Sequence, residues 1–139
     1  MKTLLITLLS FLFLLAPASL QAQDKPEAPK KTAFENIKPD KFDALRKTDT
    51  NSIVVLDVRT KKEYSEGHIP GSVLIDFNSD DFDKQVAKLD KSKTYLVHCA
   101  AGGRSARACK KMDQLGFKKL YNLEGGMGAW EKAGKPVEK

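Results

Sequence analysis

The chain has 139 residues, 41% of them hydrophobic and 30% charged, with 2 cysteines. That length supports one globular domain with a real core, and so few cysteines exclude a disulfide framework. The net charge of +6, from 24 Lys and Arg against 18 Asp and Glu, is scattered in pairs such as Lys61-Lys62 and Lys110-Lys111 with no basic face interleaved with aromatics, which describes a solvated surface and excludes nucleic acid as a partner.

Met1-Lys2 precedes a leucine-rich run from Thr3 to Leu15, and Ala16-Pro17-Ala18-Ser19-Leu20-Gln21-Ala22 follows. One positive residue, an apolar core and a small-residue end make a secretory signal peptide over residues 1–22. Cleavage is expected after Ala22, with Ala18 as the second choice. An uncleaved membrane anchor would need about 20 apolar residues, and this core is short with Pro17 near its end. No cysteine follows the cleavage region to carry a lipid. The mature protein is therefore expected beyond the inner membrane, in a bacterial periplasm, without stable membrane association. Residues 23–31 hold prolines and charges with nothing to bury, and read as a flexible tether before a domain over 32–139.

Thr32 to Ile37 suits a short edge strand. Pro39 fits the first turn of a helix running through Lys47, with Phe42 and Leu45 facing inward. Ile53 to Val58 is a continuous apolar run, as in a strand buried on both faces. Thr60 can cap a short helix over Lys61 to Ser65, stopped at Gly67. His68 to Ser72 is a turn, and Val73 to Ile75 a short strand. Asp80-Asp81 opens a helix with Phe82, Val86 and Leu89 on one face. Thr94 to His98 is the central strand.

That strand delivers Cys99 into Ala100-Ala101-Gly102-Gly103-Arg104, and a helix is expected from Ser105 to about Leu115, stopped by Gly116. Leu120 to Leu123 is a last strand, and a final turn of helix follows. Short apolar strands alternating with helices predict an α/β fold: a central parallel sheet of about five strands with helices on both faces. Ligands of such folds bind beyond the carboxyl ends of the strands, where Cys99 lies. Amide N–H groups and a helix N-terminus around a thiol lower its pKa, and the thiolate is the nucleophile. Cys99 is thus expected to do covalent chemistry on an anion.

Three blocks carry a family resemblance. Asp57-Val58-Arg59-Thr60-Lys61-Lys62-Glu63-Tyr64, continued by Glu66-Gly67-His68-Ile69-Pro70-Gly71-Ser72, resembles the N-terminal signature of rhodanese domains. Cys99 to Ser105 resembles their active-site loop, and Leu123-Glu124-Gly125-Gly126-Met127-Gly128-Ala129-Trp130 their C-terminal signature. The resemblance covers nearly everything after the tether and implies a rhodanese-like fold and a single-domain, secreted sulfurtransferase. It implies that Cys99 takes the outer sulfur of thiosulfate or a similar donor and passes it from a persulfide to cyanide, a small thiol or a thiol protein. The backbone of Ala100, Ala101, Gly102, Gly103, Arg104 and Ser105 would cradle that sulfur, with no metal or organic cofactor, in a monomer.

The same loop also resembles that of cysteine-dependent phosphatases and arsenate reductases, which place five residues between Cys and Arg. Here there are four, Ala100 to Gly103, which favours a sulfur atom over a tetrahedral oxyanion. A third alternative is a binding or redox-sensor module without turnover. Asp57 and Arg59 are expected to fix neighbouring loops by charge-assisted hydrogen bonds, and His68 to fix its turn. Arg104 either holds an anion or bonds outward to a carboxylate, with bracing favoured. His98 is either a sheet residue or a neighbour that favours the thiolate when protonated, although adjacent strand residues point to opposite faces. Cys109, between Ala108 and Met112, is expected in the core. A Cys99–Cys109 disulfide would need α-carbons within about 7 Å, which a solvent-facing loop thiol and a sheet-facing one should not meet. Trp130 is expected to anchor the core. Ala100 and Ala101 stand where thiosulfate enzymes of the family often carry basic residues, which leaves the donor open.

Overall fold

Five parallel strands form the sheet: β1 (Glu35–Ile37), β2 (Ile53–Asp57), β3 (Val73–Leu74), β4 (Thr94–His98) and β5 (Lys119–Leu123). Their order is β1-β5-β4-β2-β3, so β4 is the middle strand, paired with β2 on one side and β5 on the other. This computed structural model describes residues 34–139. The expected signal peptide, its cleavage site, the tether and the first residues of the expected edge strand lie outside the described residues.

Alternation along β4 builds two cores. Tyr95 and Val97 point to one face, where α3 (Phe82–Val86) and α4 (Gly103–Gln114) contribute Phe82, Val86, Ala108, Cys109 and Met112. Leu96 points to the other, where α1 (Pro39–Arg46) and α5 (Gly126–Lys132) contribute Phe42, Met127 and Trp130. A strand covered on both faces favours apolar residues, which explains the runs Ile53 to Leu56 in β2 and Tyr95 to Val97 in β4. Trp130 is fully buried, edge-on to Phe42, and its indole N–H donates to Pro136 O at 2.8 Å. The α/β sheet of five parallel strands with helices on both faces is the one expected.

Local chemistry fixes the element ends. Thr60 caps α2 (Lys61–Glu66) in a reciprocal capping box with Glu63, which satisfies two otherwise orphaned N–H donors. Helix α4 starts at Gly103, two residues before the expected Ser105. Gly102 adopts φ +102 and its carbonyl already accepts the Ala106 N–H at 3.1 Å, so the turn into the helix is made at a glycine free to take a left-handed conformation. Strand β2 ends at Asp57 and β3 at Leu74, each one residue short of expectation. Among the described residues no helix is long and apolar enough to cross a membrane.

Candidate active site

Cys99 directly follows the middle strand and continues its alternation, so its side chain falls on the α4 face while His98 falls on the α1 face. The residue is only 1% exposed, which corrects the expectation of a solvent-facing loop thiol. The reason is the early start of α4, which brings Ser105 and the first helical turn over the sulfur.

The loop is held from beneath by the start of α5. Met127 N–H donates to Cys99 O at 2.8 Å and Gly128 N–H to Ala100 O at 3.1 Å. A trans peptide sets its N–H opposite its C=O. Drawing the Ala100 carbonyl toward α5 therefore turns the Ala101 N–H the other way, toward the sulfur. Gly102 N–H donates to Cys99 Sγ at 3.0 Å, and the Ser105 hydroxyl lies 3.3 Å from it. Burial by itself pushes the Cys99 thiol up. The Ser105 hydroxyl and the N–H groups of Ser105, Ala101 and Gly102 outweigh it and hold the thiol below its ordinary value, because each donates to the charged form. Of the six loop residues named from sequence, Ala101, Gly102 and Ser105 thus meet the sulfur.

Arg104 does not. Its guanidinium makes a two-pronged pair with Glu63, at 2.9 Å to Oε2 and 2.7 Å to Oε1, clamping the loop to the start of α2. That pair, with burial opposing it and Thr60 adding to it, lowers the Glu63 carboxyl to about 2. Asp57 and Arg59 form a buried pair, 2.7 Å at the closest, and Arg59 also donates to Gly67 O at 2.8 Å. They fix the turn beyond α2. His68 stacks on Tyr64 at 3.8 Å, sets Nδ1 3.1 Å from Tyr64 O, and faces Glu138 through Nε2 at 3.3 Å.

His98 is completely buried, edge-on to Phe42, with Nε2 3.5 Å from Asp57 Oδ2 and no hydrogen bond at either ring nitrogen. Burial dominates and lowers its pKa to about 4, against an opposing pull from Asp57. It is neutral and turned from the sulfur. Cys109 is buried in the same cluster as Cys99 and unlinked. Burial, then the nearness of Cys99, pushes it up to about 12. Its place in the core is as expected, whereas Cys99, expected to face solvent, shares that core cluster.

Sequence reasoning missed four contributors. Glu63 carries the T-x-x-E capping signal, but nothing local reveals its pairing with Arg104, 41 residues on. Gly126 and Gly128 belong to the Gly-rich block, whose service to the loop is a tertiary fact. Asn122 at the end of β5 bridges Asn36 Oδ1 (2.9 Å) and Gly102 O (3.5 Å), and no sequence signal marks it. Among the described residues no cluster of His, Cys, Asp and Glu is disposed to hold a metal.

Residues 38–133 match the rhodanese-like domain family. YtwF of Bacillus subtilis is 43% identical over 84 residues, 60% of this chain and 79% of its own length. The thiosulfate sulfurtransferase GlpE of Pseudomonas savastanoi pv. phaseolicola is 35% identical over 100 residues, 71% of this chain and 89% of its own. The crystal structure of a rhodanese-related protein from Thermoplasma volcanium superposes with a TM-score of 0.62 at 32% identity, covering 75% of this chain and 97% of that one. The fold, the loop after the middle strand and these relatives agree: the chain belongs to the rhodanese-like domain family.

Proposed function

We propose that the chain is a sulfurtransferase that carries sulfane sulfur on Cys99. The observation that carries this reading is the thiol itself, buried yet surrounded by the Gly102 N–H at 3.0 Å and the Ser105 hydroxyl at 3.3 Å. A thiolate so held attacks the outer sulfur of a donor such as thiosulfate. A new S–S bond forms to Cys99, the donor's S–S bond breaks, and sulfite leaves with the bonding pair. The persulfide keeps one negative charge on its terminal sulfur, against the same N–H donors. Cyanide or a thiolate then attacks that terminal sulfur, and Cys99 leaves as the thiolate. No step calls for a metal or organic cofactor.

The loop has four residues between Cys99 and Arg104, with the Arg104 guanidinium engaged by Glu63. Neither feature suits a tetrahedral oxyanion, which supports sulfur over phosphate. The leucine-rich N-terminus supports export to a periplasm, where the protein acts on small molecules or a thiol protein. The test is the intact mass of the purified protein after incubation with thiosulfate and, separately, with an alkyl persulfide. One added sulfur on wild type and none on Cys99→Ala is expected. Failure of every sulfane donor to load wild type, alongside turnover of an aryl phosphate, would overturn the reading.

A further inference from the structure

One buried side chain on β5 has a polar atom that the fold leaves unpaired. Asn122 is 4% exposed, and its Oδ1 has no hydrogen-bond partner. A buried amide oxygen without a partner costs free energy that a leucine of similar shape would not. Both hydrogens of its Nδ2, by contrast, are used. One goes to Asn36 Oδ1 at 2.9 Å, across the register pair Asn36 and Asn122 that joins β1 to β5. The other makes a long bond to Gly102 O at 3.5 Å. Asn122 lies beside Val97, its register partner on β4, two residues before Cys99 on the face that α4 covers. The sulfur loop rests on this end of β5: a Cβ at Gly102 would lie 3.6 Å from Leu123 O.

The two peptide planes that meet at Gly102 have different tasks. The plane before it carries the N–H that donates to Cys99 Sγ at 3.0 Å. The plane after it carries the carbonyl that accepts from the Ala106 N–H at 3.1 Å and from Asn122. Rotation about a glycine at φ +102 meets little steric resistance, so the first plane keeps its aim only while the second is pinned. Ala106 pins it from within the helix, and Asn122 pins it from the sheet. We infer that Asn122 is a positioning residue for the Cys99 thiolate. Oriented by Asn36, it holds the Gly102 carbonyl and so keeps the Gly102 N–H on the sulfur. Its amide bonds the loop and not the sulfur, and its part in sulfur transfer rests on the reading of Cys99 as the sulfur carrier.

The test compares Asn122→Leu with the unsubstituted residue, both in a Cys109→Ala background. It reads the pH profile of Cys99 alkylation by iodoacetamide, and the rate of sulfur loading from thiosulfate or an alkyl persulfide by intact mass. Leucine removes the unpaired oxygen together with the bonds, so the thermal melt is expected to stay close to wild type. The alkylation profile is expected to move up by about half a pH unit, the worth of one long neutral hydrogen bond. Below the midpoint the thiolate fraction then falls about threefold, and loading is expected to slow by that factor and to recover as pH rises. A loss of packing alone would lower the melt and leave the profile in place. Asn36→Ala changes an exposed edge residue and decides the matter if Asn122→Leu does not fold. It frees the Asn122 amide to turn, and a profile moved in the same direction is expected. An unmoved profile in folded Asn122→Leu, or in Asn36→Ala where only that variant folds, overturns this inference alone. A moved profile in a protein that neither donor loads overturns the sulfur-carrying reading and leaves Asn122 positioning the thiolate.

Discussion

Replacing Gly126 by alanine perturbs the floor of the sulfur loop from a site two elements away in sequence. An alanine Cβ there would lie 2.5 Å from Cys99 O, 2.6 Å from Ala100 C and 2.7 Å from Ala100 O. These are backbone atoms and cannot swing aside, so the loop must rise from α5. The residue also sits at φ +58, which costs an L-amino acid roughly 1 kcal/mol. Lifting the loop strains the bonds Met127 N–H to Cys99 O and Gly128 N–H to Ala100 O, each worth about 1 kcal/mol. Overpacking adds about 1–3 kcal/mol. We expect Gly126→Ala to lose about 4 kcal/mol in urea unfolding, a large share of a typical domain's 5–15. The thiol is expected to titrate higher as the Ala101 and Gly102 N–H groups turn from it, read from the pH profile of Cys99 alkylation in a Cys109→Ala background. Gly128→Ala is the control: its Cβ would meet Ala100 O at an ordinary 3.7 Å, and a cost below about 1 kcal/mol is expected. If Gly126→Ala unfolds like Gly128→Ala with an unmoved alkylation profile, α5 does not set the loop.

Ser105→Ala removes the hydroxyl that leads the effects lowering the Cys99 thiol, so its alkylation profile should move to higher pH while the urea midpoint stays near wild type. His98 binds a proton near pH 4 when folded and near 6.5 when unfolded. The unfolded chain therefore holds more protons between these values, and stability, full above the upper one, should fall by about 3 kcal/mol on acidification to the lower. His98→Phe should flatten that decline in urea midpoints measured across the window. Cys109, pushed up to about 12 by burial, should resist iodoacetamide in folded Cys99→Ala at mildly alkaline pH and react once denatured. Rapid native labelling would place it outside the core.

What could be read from the sequence was whatever a residue type imposes on its own neighbours. The unbroken apolar runs of β2 and β4 have one comfortable place, inside a covered parallel sheet, and Pro39 and Thr60 mark helix starts by their own chemistry. Cys99 was legible because a strand end, a glycine loop and a helix start are consecutive in the chain. The loop's support was not. Glu63 reaches Arg104 across 41 residues and Asn122 reaches Asn36 across 86, and pairings at that separation leave no local pattern. The burial of Cys99 was missed for a related reason. The helix was expected to start only at Ser105, whereas the left-handed φ of Gly102 starts α4 at Gly103 and folds Ser105 over the sulfur.

The distribution of charge around Cys99 separates two tasks that a cationic side chain would combine. Negative charge on sulfur is held by N–H dipoles and one hydroxyl, whose positions are fixed by α4 and α5. The full charges of Arg104 and Arg59 are neutralised by Glu63 and Asp57 and serve to lock the loop and the turn beside it. A dipole cradle stabilises a single soft anion without binding it as tightly as an ion pair would. Under the proposed sulfur-carrying role, a persulfide in such a cradle is stable enough to wait for an acceptor and loose enough to give up its terminal sulfur. As an acceptor anion attacks, its bonding pair forms the new bond to the terminal sulfur and the pair of the broken S–S bond returns to Cys99, onto the donors that lower its pKa. The Glu63–Arg104 clamp braces the loop, and the N–H dipoles with the Ser105 hydroxyl make the hydrogen bonds to the sulfur.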